Sequence, residues 1–392
     1  MLPPTVHLRP GADRRARAGH PWLYSNELAP TPAWRDHPPG APALVCDARG
    51  RPLGVYALHP HTLLAGRLLA ADPSTPIDAA FFAARLRAAA ALRARLYPGG
   101  HHRLVHAEAD GLPGLVIDRY GSTFAVQPNS AFADRHLPAL LDALDAVCAP
   151  ARILLRADSG ARAAEGLPLH TDVLRGSPTD PIEIQENGAT FVAHPTESQK
   201  TGWFFDQREN RAFIAGLAAG ARALDVYSYA GGFGVLCAVR GAAHVTCVDR
   251  SAEAVERIAQ AAAANAVAPR VLPVRAEAFT FLAADDAPPY DVVIADPPAF
   301  AKARKDVDPA LRGYRKLARL AAARVAPGGL LLLGSCSHHV DPPAFFDTCA
   351  AGLHDAGRTA RLLRSAGAGP DHPIHPALPE SAYLKALVFQ LD

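Results

Sequence analysis

Apolar and polar positions alternate in two different ways along this chain, and the pattern is clearest in the second half. From about residue 186, short apolar runs alternate with stretches of helical spacing. Such alternation predicts a parallel sheet with helices on both faces, which binds its ligands beyond the carboxyl ends of the strands. The predicted strands are RALDVY (222–227), HVTCVD (244–249), RVLPVR (270–275), DVVIAD (291–296) and LLLLGSC (330–336).

Two further strand-like runs follow these five. One covers residues 358–364, and the other is SAYLKALVFQLD (381–392). Because the two runs lie close together along the chain, we expect a reversed final pair of strands. That arrangement favours the methyltransferase version of this sheet over the dehydrogenase version.

Residues 1–72 show short, closely spaced apolar runs broken by turns, which predict a small β-barrel. The predicted strands are ALVCDA (43–48), LGVYALH (53–59) and TLLAGRLLA (62–70). Before them lies a loop, GADRRARAGHPWLYSNE, in which cations alternate with aromatic residues. Such a loop suits phosphate contact and base stacking, although a solvated loop whose Trp22 closes the barrel is an equal alternative. The candidate RNA-binding residues are Arg14, Arg15, Arg17 and His20.

Between the two halves, the pattern predicts a small α/β module that begins after a linker marked by Pro73 and Pro76. It contains a helix near 78–97, a strand–turn–strand unit over 103–121, a helix near 131–147 and a strand near 151–156. Glu108, Asp110 and Asp118 lie in the strand–turn–strand unit, but turn chemistry explains such residues without a metal ion, and no metal site is predicted. The predicted domains are therefore 1–72, 76–185 and 186–392.

Composition narrows the class of protein further. The 392 residues are 49% apolar and 20% charged, as in globular proteins of two or three domains. The net charge of +2 excludes a protein that coats nucleic acid by bulk charge, but it allows a local basic patch. No apolar run is long enough to cross a membrane. The start of the chain does not resemble a secretion signal, and the six cysteines lack regular spacing. A cytoplasmic location is expected.

The ends of the predicted strands carry the candidate ligand-binding residues. Gly231, Gly232 and Gly234 open a helix after the first strand, where free backbone N–H groups can approach a ligand. A dinucleotide fingerprint would place a third glycine where Cys237 stands. Asp249 ends the second strand, a position at which an acid usually binds ribose hydroxyls. Glu277 follows the third strand, within reach of an adenine amine. Together these residues predict a ligand that contains adenosine.

The fourth and fifth strands end in residues suited to covalent chemistry. The fourth ends in Asp296-Pro297-Pro298, and the fifth in Ser335-Cys336-Ser337. These strands are neighbours in a doubly wound sheet, so we expect Asp296 and Cys336 to face one cleft. Among the cysteines, Cys336 stands where a nucleophile is useful. Cys46, Cys237, Cys247 and Cys349 lie in apolar runs and are predicted core residues.

Four motifs now identify a resemblance that runs the full length of the chain. KTGWFFDQRENR (200–211), LDVYSYAGGFGV (224–235), VIADPPAFAK (293–302) and SCSHHV (335–340) resemble those of the RlmI-type large-subunit rRNA cytosine-5 methyltransferases. GHPWLYSNE is similar to that family's N-terminal PUA barrel, and EADGLPGLVIDRYG is similar to its middle domain. The resemblance implies a Rossmann-like class I methyltransferase sheet, S-adenosylmethionine (SAM) as the methyl donor, and 23S rRNA or a large-subunit precursor as the partner.

The resemblance also implies roles for individual residues. Cys336 matches the catalytic cysteine, and Asp296 matches a residue of both the reaction site and the cofactor site. Glu277 stands where the family more often has Asp, a difference that keeps the carboxylate but lengthens its reach. Ala299 and its neighbours include no cysteine, unlike the two-cysteine group of RNA cytosine methyltransferases. The other implied cofactor-binding residues are Lys200, Phe204, Asp206, Arg208, Ser228, Gly231, Gly232, Phe233 and Asp249.

Carbon 5 of cytosine is a poor nucleophile, which explains why a thiol and an acid are needed. The expected reaction begins with addition of the Cys336 thiolate to carbon 6, helped by nearby positive charge that lowers the pKa of the thiol. Asp296 would stabilise charge that develops at N3 and the 4-amino group. The sequence does not identify the base that removes the proton from carbon 5.

Three alternatives stay open at this point. A methyltransferase acting on a ring nitrogen or an exocyclic amine needs no nucleophile, and Ala299 and Cys336 argue against it. A dinucleotide-dependent oxidoreductase is disfavoured by Cys237 and by the two strand-end motifs. A non-catalytic RNA-binding assembly factor is disfavoured by the intact candidate residues. The sequence leaves open the target cytosine, the assembly state of the substrate RNA and the oligomeric state, with a homodimer as one alternative.

Overall fold

The computed structural model describes residues 3–178, 181–193, 202–284 and 288–392, which divide into two compact units. The finer division of the chain into three domains stays a prediction. The first unit contains the described residues of Met1–Ile182, His194–Trp203 and Pro370–Pro379, and the second contains those of Glu183–Ala193, Phe204–Gly369 and Glu380–Asp392.

The N-terminal part of the first unit is a five-stranded sheet, and three of its strands match those predicted over 43–48, 53–59 and 62–70. Its strands have the order β1-β3-β4-β5-β2. Alternate apolar positions, among them Val6, Val45 and Tyr56, meet in a core on one face of the sheet. The elements are β1 (Thr5–His7), α1 (Arg14–Arg17), β2 (Trp22–Tyr24), α2 (Pro32–Arg35), β3 (Pro42–Cys46), β4 (Pro52–Leu58) and β5 (Leu64–Ala70).

A second five-stranded sheet in the same unit has the order β10-β9-β8-β7-β6. The apolar faces of its helices pack against it, and Leu86, Ile117 and Phe124 are fully buried in their shared core. Its elements are α3 (Ala79–Leu96), β6 (His101–His106), β7 (Leu115–Tyr120), β8 (Thr123–Pro128), α4 (Ala131–Arg135), α5 (Leu137–Cys148), β9 (Arg152–Ala157), α6 (Gly160–Ala164) and β10 (His170–Arg175).

Local sequence explains where these helices begin. The Asp78 carboxylate accepts a hydrogen bond from the N–H of Phe81 and caps α3. The helix predicted near 131–147 is instead two helices, α4 and α5, which meet at His136. Pro138 lacks an N–H group, which a helix tolerates in its first turn but not in its interior. A new helix therefore begins at Leu137.

The second unit contains a hairpin and a seven-stranded sheet with the order β15-β14-β13-β16-β17-β19-β18. Apart from Ile182, the hairpin of β11 (Ile182–Glu186) and β12 (Ala189–Ala193) belongs to this unit. The sheet strands are β13 (Arg222–Val226), β14 (His244–Asp249), β15 (Val271–Arg275), β16 (Tyr290–Ala295), β17 (Val325–Ser335), β18 (Ala360–Ala366) and β19 (Lys385–Leu391). The helices are α7 (Arg208–Ala215), α8 (Gly232–Val239), α9 (Ala252–Ala264), α10 (Ala278–Ala283), α11 (Val307–Ala323) and α12 (Pro342–Asp355).

Strand direction in this sheet confirms the predicted fold class. Strands β13 to β17 pair in parallel, whereas β19 runs antiparallel to both β17 and β18. The carboxyl ends of the parallel strands therefore share one edge of the sheet. Strands β16 and β17 are neighbours, with Ala295 opposite Leu333, so the residues that follow them emerge side by side. Within the described ranges, no helix combines the length and the apolar character that a membrane crossing requires.

Candidate active site

The loop after β13 approaches the next strand closely. Gly231 has a φ of +79°, a conformation that favours glycine, and α8 begins at the next residue. A Cβ at Gly234 would collide with the Sγ atom of Cys247 on β14, so Gly234 lets the helix pack against the sheet. Tyr227 and Tyr229 also have positive φ values, of 63° and 51°. For non-glycine residues this conformation stores strain, which is most common at functional sites.

Asp225, within β13, is a buried acid that the sequence analysis did not select. Its Oδ2 atom accepts a hydrogen bond of 2.9 Å from the N–H of Gly234, while Oδ1 has no hydrogen-bond partner among the described residues. Burial, together with the charges of Asp296 and Asp249, raises the pKa of this carboxyl to about 7, although the N–H of Gly234 and the charge of Arg211 act in the opposite direction. An acid inside the apolar run RALDVY was the available sequence signal.

Asp249 ends β14 beside this loop, as predicted. Its Oδ2 atom accepts from the N–H of Tyr229 at 3.0 Å and its Oδ1 atom from the N–H of Ser251 at 3.0 Å. Ser228 is buried and donates its hydroxyl to the carbonyl oxygens of Asp225 and Val248. These contacts hold the loop in its strained conformation, and carboxylate oxygens retain further lone pairs for a ligand.

Glu277 follows β15, also as predicted, but it has a local role. Its Oε2 atom accepts from the backbone N–H of Thr280 at 2.8 Å and caps α10. Although partial burial opposes ionisation, the backbone N–H groups of Thr280 and Phe279 lower the pKa of this carboxyl. Contact between Glu277 and adenine stays a prediction.

The motif before the sheet contributes several side chains to the same edge. The ring of Phe204 contacts that of Tyr229, with centroids 5.3 Å apart. The buried Asp206 accepts a 2.5 Å hydrogen bond at Oδ2 from the Tyr383 hydroxyl. Gln207 donates from Nε2 to Oδ2 of Asp296 at 2.9 Å. Lys200, the first candidate of this motif, lies outside the described residues.

Arg208 and Phe233 are held by a buried cluster of charge. Nε of Arg208 lies 3.4 Å from the Glu186 carboxylate, and Nη1 of Arg211 lies 2.6 Å from it. The Glu186 side chain has no exposed surface. The Arg211 guanidinium also lies 5.5 Å from the centroid of the Phe233 ring. The structure therefore places Arg208 in an ion pair that ties α7 to β11.

Asp296 and Gly334 come from neighbouring strand ends and are tightly packed. A Cβ at Gly334 would collide with Oδ1 of Asp296. The other oxygen, Oδ2, accepts from Gln207, whose Oε1 atom in turn accepts from Asn210 Nδ2 at 2.7 Å. The orientation of the Asp296 carboxylate is thus fixed by Gly334 against one oxygen and by Gln207 against the other. Gln207 and Asn210 were not selected from the sequence.

Cys336 follows β17 directly and is partly exposed, whereas the predicted core cysteines are buried. Burial raises the pKa of the thiols of Cys46, Cys237, Cys247 and Cys349, which leaves these thiols unreactive. Cys148 is the other partly exposed cysteine, and it belongs to α5 of the first unit.

A buried network of hydroxyl groups holds the chain on both sides of Cys336. The Tyr314 hydroxyl lies 2.9 Å from Ser335 Oγ and 2.8 Å from Ser337 Oγ. Ser337 Oγ also accepts from the N–H of Ala301, at 3.2 Å, in the loop after Asp296. The two loops that carry Asp296 and Cys336 are therefore joined through Ser337.

Lys385, at the start of β19, is a second buried charge that the sequence analysis did not select. Its Nζ atom donates to the carbonyl oxygens of Ser337 at 2.6 Å and Val340 at 2.8 Å. Burial lowers the pKa of this ammonium to about 8, and the charges of Cys336 and Asp341 act in the opposite direction. The sequence signal was a lysine inside the apolar run YLKALVF.

Some of the cations in the candidate RNA-binding loop of the first unit form ion pairs or hydrogen bonds within the protein. Arg14 is exposed. Arg17 pairs with Asp13 and with Asp47, at 2.5 and 2.6 Å. Arg15 contacts His20 through hydrogen bonds to its ring nitrogens and lies 4.8 Å from the Tyr24 ring centroid. Arg14 is therefore the most available cation of the set.

The acids of the strand–turn–strand unit are engaged in hydrogen bonds and ion pairs. Glu108 accepts from Nε1 of Trp22 and pairs with Arg67. Asp110 pairs with the buried Arg93, and Asp118 pairs with Arg103. Among the described residues, no group of three or more His, Cys, Asp or Glu is arranged to hold a metal ion.

The site fits a ligand that carries adenosine and positive charge. The strained glycine loop leads directly into the start of α8, and Asp249 stands at the adjacent strand end. Oδ1 of Asp225 is unsatisfied, and the charges of Asp249 and Asp296 act on this carboxyl, so negative charge collects at this edge of the sheet. A sequence-family model described as an S-adenosylmethionine-dependent methyltransferase matches residues 167–390, and one for a PUA-like domain matches residues 6–71. Fold and site together define an S-adenosylmethionine-dependent methyltransferase.

Curated relatives narrow this class. A ribosomal RNA large subunit methyltransferase from Deinococcus radiodurans is 36% identical, with 99% of this chain and 98% of the relative covered. The ribosomal RNA large subunit methyltransferase I of Shewanella amazonensis is 35% identical, with 98% of each chain covered. The chain belongs to the ribosomal RNA large subunit methyltransferase I family.

Solved structures agree on the fold. A candidate SAM-dependent methyltransferase from Streptococcus mutans superposes with a TM-score of 0.82 at 20% identity, covering 99% of this chain and 100% of that one. A methyltransferase solved as a complex with S-adenosylhomocysteine gives a TM-score of 0.84 at 20% identity, with 100% of both chains covered. At this level of identity the likeness extends to the fold alone.

Proposed function

We propose that this protein transfers a methyl group from SAM to carbon 5 of a cytosine in large-subunit (23S) ribosomal RNA, through a covalent adduct with Cys336. The observation that carries the proposal is the position of Cys336. It is a partly exposed thiol at the end of β17, joined through Ser337 to the loop that follows Asp296. The glycine loop and Asp249 lie on the same edge of the sheet.

Methyl transfer requires that the donor be held at this edge. SAM supplies a methyl group activated by its sulfonium charge. Asp249 would accept hydrogen bonds from the ribose hydroxyls, and Glu277 would bind the adenine amine. Asp296 closes the pocket from the β16 side. The remaining donor-binding residues of this proposal are Lys200, Phe204, Asp206, Arg208, Ser228, Gly231, Gly232 and Phe233.

In this proposal, Arg208 affects the donor through neighbouring residues. Because its guanidinium pairs with Glu186, it supports α7 and the motif that precedes it. Asp206 and Phe204 then reach the strand ends from that motif. We expect Arg208 to affect donor affinity mainly through the placement of these neighbours.

Covalent activation explains the residue types at the reaction centre. The Cys336 thiolate adds to carbon 6 of cytosine, so the electron pair of the 5,6 double bond makes carbon 5 nucleophilic. Carbon 5 then forms its bond to the methyl group as the methyl–sulfur bond breaks. Asp296 stabilises the charge that develops at N3 and the 4-amino group. Loss of the proton from carbon 5 restores the double bond and expels the Cys336 thiolate.

An RNA substrate is supported by charge near this centre and by the relatives. Lys302, Arg304 and Lys305 follow Asp296 closely, are exposed and form no ion pair with a described residue. The adjoining residue Ala301 is bonded to Ser337, so these cations are anchored beside the loop of Cys336. Exposed cations of this kind bind phosphates. The curated relatives are named as methyltransferases of large-subunit ribosomal RNA.

The decisive experiment removes the thiol. We expect Cys336→Ala to abolish formation of 5-methylcytidine in 23S rRNA from a strain that lacks the protein, measured by nucleoside mass spectrometry, while SAM affinity in calorimetry is unchanged. Cys148→Ala, the other partly exposed cysteine, is the matched control and should retain full activity. Full turnover by Cys336→Ala would exclude the covalent adduct. A methylated ring nitrogen or amine in wild-type product would instead support the rival chemistry.

A further inference from the structure

Lys385 occupies an unusual position for a cation. In the register of β17 with β19 it lies opposite Ser335, the residue before Cys336. Its side chain crosses to the far side of the cysteine and donates to the carbonyl oxygens of Ser337 and Val340. Lys385 therefore holds the chain on both sides of Cys336. Its backbone lies opposite Ser335, and its ammonium binds the carbonyl oxygen of Ser337.

This ammonium is kept inside the protein without a direct ion pair. Lys385 is only 5% exposed, and no described carboxylate lies within ion-pair distance of it. A buried cation without a carboxylate partner costs free energy unless other groups stabilise its charge. The hydrogen bonds from Lys385 to two carbonyl oxygens offset part of this free energy. The Cys336 side chain, when it is ionised, and the Asp341 carboxylate are the groups whose negative charge favours the ammonium.

We propose that Lys385 is a positioning residue for Cys336: it fixes the loop of the cysteine and supplies the positive charge that stabilises the thiolate. This inference rests on the proposed function, in which Cys336 is the nucleophile. It also explains why a lysine is present. A neutral donor could hold the two carbonyl oxygens equally well, but it could not stabilise an anion. The stabilising effect is mutual, because each charge favours the ionised form of the other.

Among the described residues, the other ionisable groups around the cysteine do not supply a buried positive charge. Asp296 follows the neighbouring strand β16, and Asp341 caps α12, so both add negative charge. Tyr314 reaches the loop from α11 as a hydroxyl. His338 lies exposed in the loop itself, stacked on the Tyr383 ring. Among these groups, Lys385 is the buried cation.

Two substitutions separate charge from hydrogen bonding. Lys385→Gln keeps donors for the carbonyl oxygens but removes the charge, whereas Lys385→Arg keeps the charge. The rate of Cys336 alkylation by iodoacetamide, followed by peptide mass spectrometry across a pH series, reports the pKa of the thiol. We expect the Gln variant to raise this pKa and to slow alkylation about tenfold at neutral pH, which corresponds to one pKa unit. The Arg variant should remain close to wild type.

Lys316→Gln is the control, because Lys316 is an exposed cation on α11. It should leave the alkylation profile unchanged. A folded Gln variant with a wild-type thiol pKa would overturn the proposal, even if its activity fell, because that result indicates a purely structural role. If the Gln variant does not fold, the Arg variant decides: a preserved profile supports the proposal and a raised thiol pKa contradicts it.

The alkylation test also distinguishes two kinds of failure. It requires neither RNA nor methyl transfer, so it reports on the thiol alone. If Cys336→Ala remains fully active, the proposed function fails whatever the alkylation profile shows. If Cys336→Ala is inactive but the thiol pKa does not respond to Lys385→Gln, only the role of Lys385 fails.

Discussion

At the scale of single residues, the carboxylates at the edge of the sheet affect one another. Asp225, Asp249 and Asp296 come from three neighbouring strands, and burial together with the charges of the other two raises the pKa of Asp225 to about 7. A cationic ligand stabilises the ionised form of each acid. The edge is therefore suited to a molecule with positive charge, such as the sulfonium donor of a methyltransferase.

Asp249 provides a test of the donor site. Its carboxylate already accepts two backbone N–H groups, so Asp249→Asn would disturb both the loop and any bond to ribose. Hydrogen bonds to a charged group contribute about 1.5–3 kcal/mol, and we expect SAM affinity to fall roughly 10- to 100-fold in titration calorimetry. Glu256→Gln, an exposed acid on the following helix α9, should bind normally. Wild-type affinity of the Asn variant would remove Asp249 from the donor site.

Sequence reasoning selected candidate residues that end or directly follow a predicted strand, and it did not select two charged residues that lie within apolar runs. Asp296 and Cys336 stand out because each follows an apolar run at the edge where ligands bind. Asp225 and Lys385 lie within apolar runs, and their partners, Gly234 and Val340, are brought to them only by the packed sheet. Local patterns contain no information about such contacts.

At the scale of elements, a buried ion cluster connects the hairpin to the helix that precedes the sheet. Glu186 on β11 pairs with Arg208 and Arg211 on α7. The same helix carries Asn210, which orients Gln207 against Asp296. The placement of Asp296 in the proposed reaction centre therefore depends on this ion cluster.

Substitution of Glu186, the acid that Arg208 and Arg211 share, tests whether the cluster supports α7. Glu186→Gln leaves two buried guanidinium groups without their carboxylate, which costs about 3–5 kcal/mol. We expect this loss in urea denaturation followed by circular dichroism, together with reduced methyl transfer. Glu183→Gln changes an exposed acid of the same strand and should alter neither property. Wild-type stability of the Glu186 variant would show that the cluster does not support α7.

The order of elements was more predictable than their limits. Alternating runs predicted the five parallel strands and the reversed pair, because strand period and apolar content are local properties. The break between α4 and α5 depends on Pro138, one residue inside an otherwise regular pattern. Strand β17 begins at Val325, before the predicted residue 330, because pairing extends the strand through a stretch that contains Pro327 and two glycines.

At the scale of the whole molecule, candidate RNA contacts lie in both units. The first unit offers the exposed Arg14, while Arg15 and Arg17 are largely engaged by Glu27, Asp13 and Asp47. The second unit offers the three cations of residues 302–305. A chain of nearly balanced charge can thus bind a polyanion through separate local patches.

The salt dependence of RNA binding can measure each patch. Each lost phosphate contact lowers the slope of log K against log salt by about 0.7–0.9. We expect the Lys302→Gln/Arg304→Gln/Lys305→Gln variant to lose more slope than the Arg14→Gln/Arg15→Gln/Arg17→Gln variant, in which Arg14 contributes most. The pair Arg87→Gln/Arg95→Gln, exposed on α3, is the control. An unaltered slope in either triple variant would exclude that patch from RNA binding.

The position of β19 has a consequence for how the enzyme matures during translation. This strand is synthesised after β18, yet it inserts between β17 and β18. Until residues 385–391 leave the ribosome, β17 has an unpaired edge, which is prone to wrong pairing. Cys336 likewise lacks the lysine that we assign to it. In a nascent chain, the positive charge that we assign to the proposed nucleophile therefore arrives only with this late strand.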